Sequence, residues 1–166
     1  MYKALAGTWW EEYPLITSIF KLVTIKHNFK DLGLEAFLAN QLTVAGYKSP
    51  TAVQSKAIPI ILSGRDVVVE SQTGTGKTAA FSLPTIQSLH NRQSKKKKKI
   101  KVLILAPTRE LADQVCESYR KYSLNTGLQM TAVYGGKNIK SQFKILKKGV
   151  DILIATPGRL LDHIDR

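Results

Sequence analysis

Four short apolar runs rich in branched residues, at positions 67–69, 102–106, 130–134 and 152–155, divide the chain, and a helical pattern lies between each run and the next. Runs that are apolar throughout, instead of alternating with polar residues, read as strands buried on both faces. Leu111, Val115, Tyr119 and Tyr122 recur at helical spacing before Gly127, and Ile139, Phe143 and Leu146 do so before Gly149. Strand and helix in alternation imply right-handed crossovers, hence an α/β domain with a mostly parallel sheet and helices on both faces. Ahead of the first run, Leu34, Phe37, Leu38 and Leu42 form another helical pattern that stops near Gly46. Ligands of such sheets bind beyond the carboxyl ends of the strands, so the residues after each run carry the functional reading.

The chain has 166 residues, 43% of them hydrophobic and 22% charged, which is one domain able to bury roughly 70% of its unfolded surface. Disordered, collagenous and coiled-coil chains differ from this composition. Its one cysteine, Cys116, has no internal partner, as in a reducing compartment, and reads as a small buried hydrophobe. No run of 18 or more apolar residues exists, and the nearest candidate, 14–25, contains Lys21 and follows Glu11 and Glu12; a cytoplasmic protein without a membrane span is expected. Residues 1–28 match no periodic template and read as an N-terminal extension. The net charge of +13 raises a polyanionic partner. It is patchy: residues 95–101 contribute +6, and residues 135–150 hold Lys137, Lys140, Lys144, Lys147 and Lys148 with no acid. The first block reads as a loop and most of the second as the solvated face of an amphipathic helix.

After the first run comes the stretch Ser71, Gln72, Thr73, Gly74, Thr75, Gly76, Lys77, Thr78. Gly74 and Gly76 allow the backbone to turn successive N–H groups toward one point at a helix N-terminus, where the helix dipole also favours an anion. Lys77 supplies a charge for terminal phosphates, and the Thr78 hydroxyl is the expected magnesium ligand. The phosphate-loop pattern GxxxxGK[ST] is met except at its first position, where Ser71 stands for glycine. Nucleotide phosphate is the expected ligand.

Such a loop does not select a base. Upstream, the stretch GYKSPTAVQ places Thr51 as a helix N-cap with Gln54 three residues on, which is a capping box in its own right. It also resembles the Q motif of the DEAD-box RNA helicases, which has an aromatic residue 17 positions before its glycine, the separation of Phe29 and Gly46 here. The resemblance implies that Gln54 hydrogen-bonds the adenine edge of ATP and that Phe29 stacks on the ring, with a Q motif over about 29–57. An amide can pair bidentately with adenine.

The later junctions extend the resemblance. The second run ends in PTREL at 107–111, the third in Gly135 and Gly136, and the fourth in TPGR at 156–159. Thr108 and Thr156 suit helix caps and Pro157 a first helical position, which explains those residues without a ligand. Arginines beside two of these junctions and a glycine pair at the third add the makings of phosphate-backbone sites. In the family these are motifs Ia, GG and Ib, which implies RNA contacts for Thr108, Arg109, Gly135, Gly136, Thr156 and Arg159.

The resemblance covers 29–166 and looks most like the bacterial RhlE-type branch; it implies a RecA-like P-loop NTPase domain, incomplete at its carboxyl end. The family's Asp-Glu-Ala-Asp motif, which brings a magnesium-binding aspartate and a water-activating glutamate, is not among these residues. Asp162 and Asp165 follow no apolar strand in the required way and do not replace it. The expectation is an ATP-dependent RNA helicase in full-length form, with this piece binding ATP and Mg2+ and hydrolysing negligibly. A non-hydrolysing nucleotide or RNA-binding module and another P-loop enzyme, such as a small-molecule kinase, are the alternatives.

Overall fold

The computed structural model describes residues 28–92 and 99–166. In chain order the elements are α1 (Ala36–Val44), α2 (Ala52–Leu62), α3 (Lys77–Asn91), β1 (Val102–Leu105), α4 (Arg109–Tyr122), β2 (Met130–Val133), α5 (Ile139–Lys148), β3 (Ile152–Ala155) and α6 (Pro157–Ile164). The three strands form a parallel sheet in the order β1-β3-β2, with Val102 and Met130 both in register with Ile152.

The central strand β3 is buried along its whole length, as expected of an all-apolar strand in a parallel sheet. Its side chains alternate between two clusters. Ile152 and Ile154 join the main core with Ala112, Val115, Cys116 and Tyr119 of α4, whereas Leu153 and Ala155 pack with Val133, Leu146 of α5 and Leu160 of α6. Helices therefore cover both faces, as the alternation of runs implied. Cys116 is 1% exposed, and burial pushes its thiol pKa up. At the amino end of the sheet the buried Asp151 carboxylate accepts from Lys101 Nζ at 3.3 Å and from the Gln129 backbone N–H at 3.0 Å, joining the entries to all three strands.

One expected strand is absent. Residues 65–70 form neither strand nor helix, Val67 and Val69 are 37% exposed and Val68 is 99% exposed. A strand is stabilised by neighbours that pair its backbone and cover its side chains, and among the described residues this run pairs with no strand. Leu103 and Leu105 of β1 are likewise exposed. β1 is one of the two edge strands, and α5 and α6 pack over β2 and β3 on that face.

No helix among the described residues is long and apolar enough to cross a membrane. The N-terminal extension, Asn28 excepted, and the lysine run at 95–99, Lys99 excepted, lie outside the described residues. Lys140, Lys144, Lys147 and Lys148 are exposed on α5, as expected of a solvated helix face.

Candidate functional site

Residues 71–76 lead from the 67–69 segment into α3, with Gly76 as its N-cap at φ 89° and ψ 24°. That left-handed conformation favours glycine. A Cβ at this position would also lie 2.3 Å from Gln54 Nε2, so two independent constraints act on one residue. The first intrahelical bond runs from Ala80 N to Gly76 O at 3.1 Å. The preceding N–H groups of the first turn have no helical carbonyl to reach, which makes this end of α3 attractive to anions. The Thr75 hydroxyl donates to the Gln72 carbonyl at 2.8 Å and can accept from the Ser71 hydroxyl at 2.7 Å. Ser71, standing where the pattern has glycine, thus braces the loop. The Lys77 ammonium donates to the Gln72 carbonyl at 2.6 Å and to the Ser71 carbonyl. Gln72, Thr73 and Gly74 are exposed and Thr78 is half-buried.

Gln54 ties this loop to α2. The capping box is formed: Gln54 N donates to Thr51 Oγ1 at 3.4 Å, and Thr51 N donates to Gln54 Oε1 at 3.0 Å. Gln54 is only 2% exposed, and its Nε2 donates to the Gly76 carbonyl at 3.2 Å. Cap and loop are therefore joined through one amide. Its remaining hydrogen and remaining lone pair are the groups available to a base.

Phe29 is buried in the main core at 6% exposure and borders a hollow of about 280 Å³ shared with Asn28, Lys30, Tyr47 and Lys48. Tyr47, which follows Gly46, lines the same hollow as Phe29. Gln54 does not line this hollow. The Tyr47 and Tyr122 hydroxyls lie 2.9 Å apart, and burial raises the Tyr122 pKa. Gln87 of α3 fastens the neighbouring segment, accepting from Glu35 N at 2.8 Å and donating to Gly33 O at 3.0 Å.

The junctions after β1, β2 and β3 meet. Thr108, Arg109, Gly135, Thr156 and Arg159 line one hollow of about 510 Å³, with Pro107, Glu110, Gly158 and Asp162. Thr108 caps α4 by accepting from Leu111 N at 3.2 Å. Thr156 is the N-cap of α6 without a side-chain cap bond, so its hydroxyl is not consumed by the helix start. The Arg109 guanidinium lies over the glycine pair: a Cβ on Gly136 would be 2.4 Å from Arg109 Nη1, and one on Gly135 would be 3.4 Å from Nη2. Gly136, at φ 88°, is therefore the flat bed of that side chain. Arg159 Nη1 donates to the Lys137 carbonyl at 2.9 Å, and Nε donates to Asp162 Oδ2 at 3.2 Å. Glu110 sits in the first turn of α4, where its own backbone N–H and the Thr108 hydroxyl hold its carboxyl below the usual range. Two arginines, two carboxylates and two helix N-termini share the hollow, so an anion is favoured beside the arginines and opposed at the Glu110 and Asp162 edges.

The sequence profile described as DEAD/DEAH box helicase matches residues 51–166, more than half of the chain. The chain belongs to the DEAD/DEAH box helicase family. Among similar proteins, the DEAD-box ATP-dependent RNA helicase RhpA of Helicobacter pylori is 45% identical over 151 residues, covering 91% of this chain and 30% of that protein. The RNA helicase CrhR of Synechocystis is 45% identical over 143 residues, covering 86% of this chain and 28% of that protein. Solved structures agree with the fold. The RNA helicase Prp28 from Chaetomium thermophilum bound to ADP matches with TM-score 0.77 and 39% identity over 84% of this chain and 34% of that one. A DEAD box protein from Methanococcus jannaschii matches with TM-score 0.75 and 39% identity, over 84% and 37%. The chain thus spans less than a third of the length of these RhpA and CrhR relatives. Their structural kin place this DEAD/DEAH box chain in a RecA-like α/β fold, of which it forms part.

Within this DEAD/DEAH box chain, three polar residues that periodicity does not single out each join separate segments, Asp151 among them at the amino end of the sheet. Gln87 and Gln142 sit in the middle of helices, and Asp151 precedes an apolar run. All three are buried, at 9%, 4% and 3% exposure, and buried polar groups are retained where each atom finds a partner. A polar residue within an otherwise apolar helical stripe was the available signal for the two glutamines.

Proposed function

We propose that this chain supplies the ATP-binding loop and part of the RNA-binding surface of an ATP-dependent RNA helicase. The observation that carries the reading is the meeting of Thr108, Arg109, Gly135, Thr156 and Arg159, from the ends of three parallel strands, at one hollow. ATP phosphates would lie against the N-terminus of α3 with Lys77 at the terminal phosphates. No hydrogen bond engages the Thr78 hydroxyl among the described residues, which suits a magnesium ligand; the ion would neutralise phosphate charge. The adenine would meet the free hydrogen and lone pair of Gln54; stacking on Phe29, which borders a hollow that Gln54 does not line, rests on the Q-motif resemblance. RNA would bind by its backbone at Arg109 and Arg159, giving affinity with little sequence preference.

Binding without efficient turnover is the expectation for the 166 residues themselves. They contain no Asp-Glu-Ala-Asp sequence, the motif that in the resemblance brings the magnesium-binding aspartate and the water-activating glutamate. Phosphoryl transfer needs metal, positioned water and charge stabilisation together. Calorimetric titration with ADP and Mg2+ tests the nucleotide site: heat should appear with the native chain, and Lys77→Ala should weaken binding by about tenfold or more. No binding by a folded sample defeats the reading. RNA-stimulated ATP turnover that Lys77→Ala abolishes would overturn the expectation of negligible hydrolysis.

A further inference from the structure

Arg159 is one of two arginines at the hollow, and its long side chain is useful there only if its fork is held in one orientation. The residue behind it is Gln142 of α5, 4% exposed and outside the hollow itself. All three polar partners of its amide are defined. Gln142 Nε2 donates to the Tyr134 carbonyl at 3.0 Å, just before the glycine pair. Gln142 Oε1 accepts from Arg159 Nη1 at 3.3 Å and lies 2.9 Å from His163 Nε2. Since an amide oxygen only accepts, His163 must carry its proton on Nε2. The His163 ring packs edge-on against Phe143 with centroids 4.6 Å apart, which fixes the plane from which it donates. Arg159 Nη1 also reaches the Lys137 carbonyl, so the guanidinium is pinned between the loop after β2 and the side chain of α5.

We infer that Gln142 is a positioning residue for RNA backbone binding, coupling the Gly135–Gly136 loop to Arg159 of α6 through the two ends of one buried amide. The inference rests on the RNA reading of the hollow. Gln142 touches no phosphate; it holds the Arg159 fork in place and, by the bond to Tyr134, holds the loop that carries the glycine pair at a set distance from it. The amide is suited to this because it donates to one segment and accepts from the other. A carboxylate would face the Tyr134 carbonyl with no hydrogen to donate, and an aliphatic side chain would leave the guanidinium and the imidazole without their acceptor.

The test uses the full 166-residue chain and a fluorescein-labelled oligouridylate, with binding followed by anisotropy across a series of salt concentrations. Gln142→Met keeps the side-chain length and removes the polar amide; Arg159→Ala removes the guanidinium. Each should weaken RNA binding by about fivefold to tenfold, the effect of losing one charge-assisted contact. Each should also lower the dependence of log K on log salt by roughly 0.7, the loss of one phosphate contact on a single strand. The double variant should bind within about twofold of either single variant. ADP binding by Gln142→Met should be unchanged, which separates mispositioning from misfolding. If Arg159→Ala weakens binding while Gln142→Met does not, or if the two losses multiply, the positioning role is refuted and the RNA reading stands. If Arg159→Ala leaves binding and its salt dependence unchanged, RNA does not lie at this hollow, and both readings fall.

Discussion

Replacing Gly76 by alanine separates backbone strain from collision at the phosphate loop. Gly74 and Gly76 have similar positive φ values, 79° and 89°, so alanine at either position meets a left-handed penalty of about 1 kcal/mol. Alanine also reduces the freedom of the unfolded chain by a similar amount in both variants, and that contribution cancels in the comparison. Their surroundings differ. Around Gly74 no atom lies within 4 Å of the added Cβ, whereas at Gly76 the Cβ would be 2.3 Å from Gln54 Nε2 and 3.4 Å from Thr51 Oγ1. Gln54 is 2% exposed and bonded at both ends of its amide, so moving it leaves buried polar groups unpaired at about 1–3 kcal/mol. Gly76→Ala should therefore destabilise the fold by about 1–3 kcal/mol more than Gly74→Ala, measured by urea unfolding followed by circular dichroism. Truncating Gln54 to alanine removes the obstacle, so in the double variant the two losses should fall short of additive by about 1–2 kcal/mol. Equal losses for the two glycine variants, or full additivity of Gly76→Ala with Gln54→Ala, would refute the claim that one buried amide joins cap and loop.

At Gly136 the neighbour is the far end of a flexible arginine, so Gly136→Ala should cost only about 1 kcal/mol in stability. It should nevertheless displace the Arg109 guanidinium and weaken oligouridylate binding, measured by anisotropy; unchanged affinity would refute the arginine-over-glycine arrangement as a binding element. Asp151→Ala should destabilise by about 2–3 kcal/mol, because it strands the Lys101 ammonium and the Gln129 N–H at the strand entries; a loss below about 0.5 kcal/mol in urea unfolding would show that the carboxylate is dispensable. Burial pushes the Tyr119 phenol up to about 12, against the pull of the Thr85 and Ser82 hydroxyls. Its folded value thus exceeds the unfolded one, so the associated stability, about 3 kcal/mol, is complete below about pH 10 and disappears as pH rises toward 12. Tyr119→Phe should flatten that alkaline decline, and an unaltered decline would rule out this phenol as its source.

Local signals were sufficient for the helices and for three of the strands. Thr51 and Gln54 form the capping box their spacing implies, Thr108 caps α4, and the three strands with a partner lie within the expected runs. Cap chemistry and side-chain period act within a few residues, which is why they are readable along a chain. The valines at 67–69 are the instructive exception: their β-prone composition is the same kind of signal, but a strand also needs a neighbour, and none of the described strands is beside them. Their exposure is a property of what pairs with what.

The sequence by itself determined the glycine-rich turn into α3, the helix starts and the order in which strand ends present their junctions, because each depends on residues adjacent in the chain. Only the tertiary structure decided that the junctions after β1, β2 and β3 share one hollow, that Arg109 rests on Gly136, and that Gln54 and Gln142 each join two distant segments. Buried amides show no periodic signature of their own. Their partners are backbone groups and side chains up to 54 positions away, brought into reach only when the packed sheet and helices close around them.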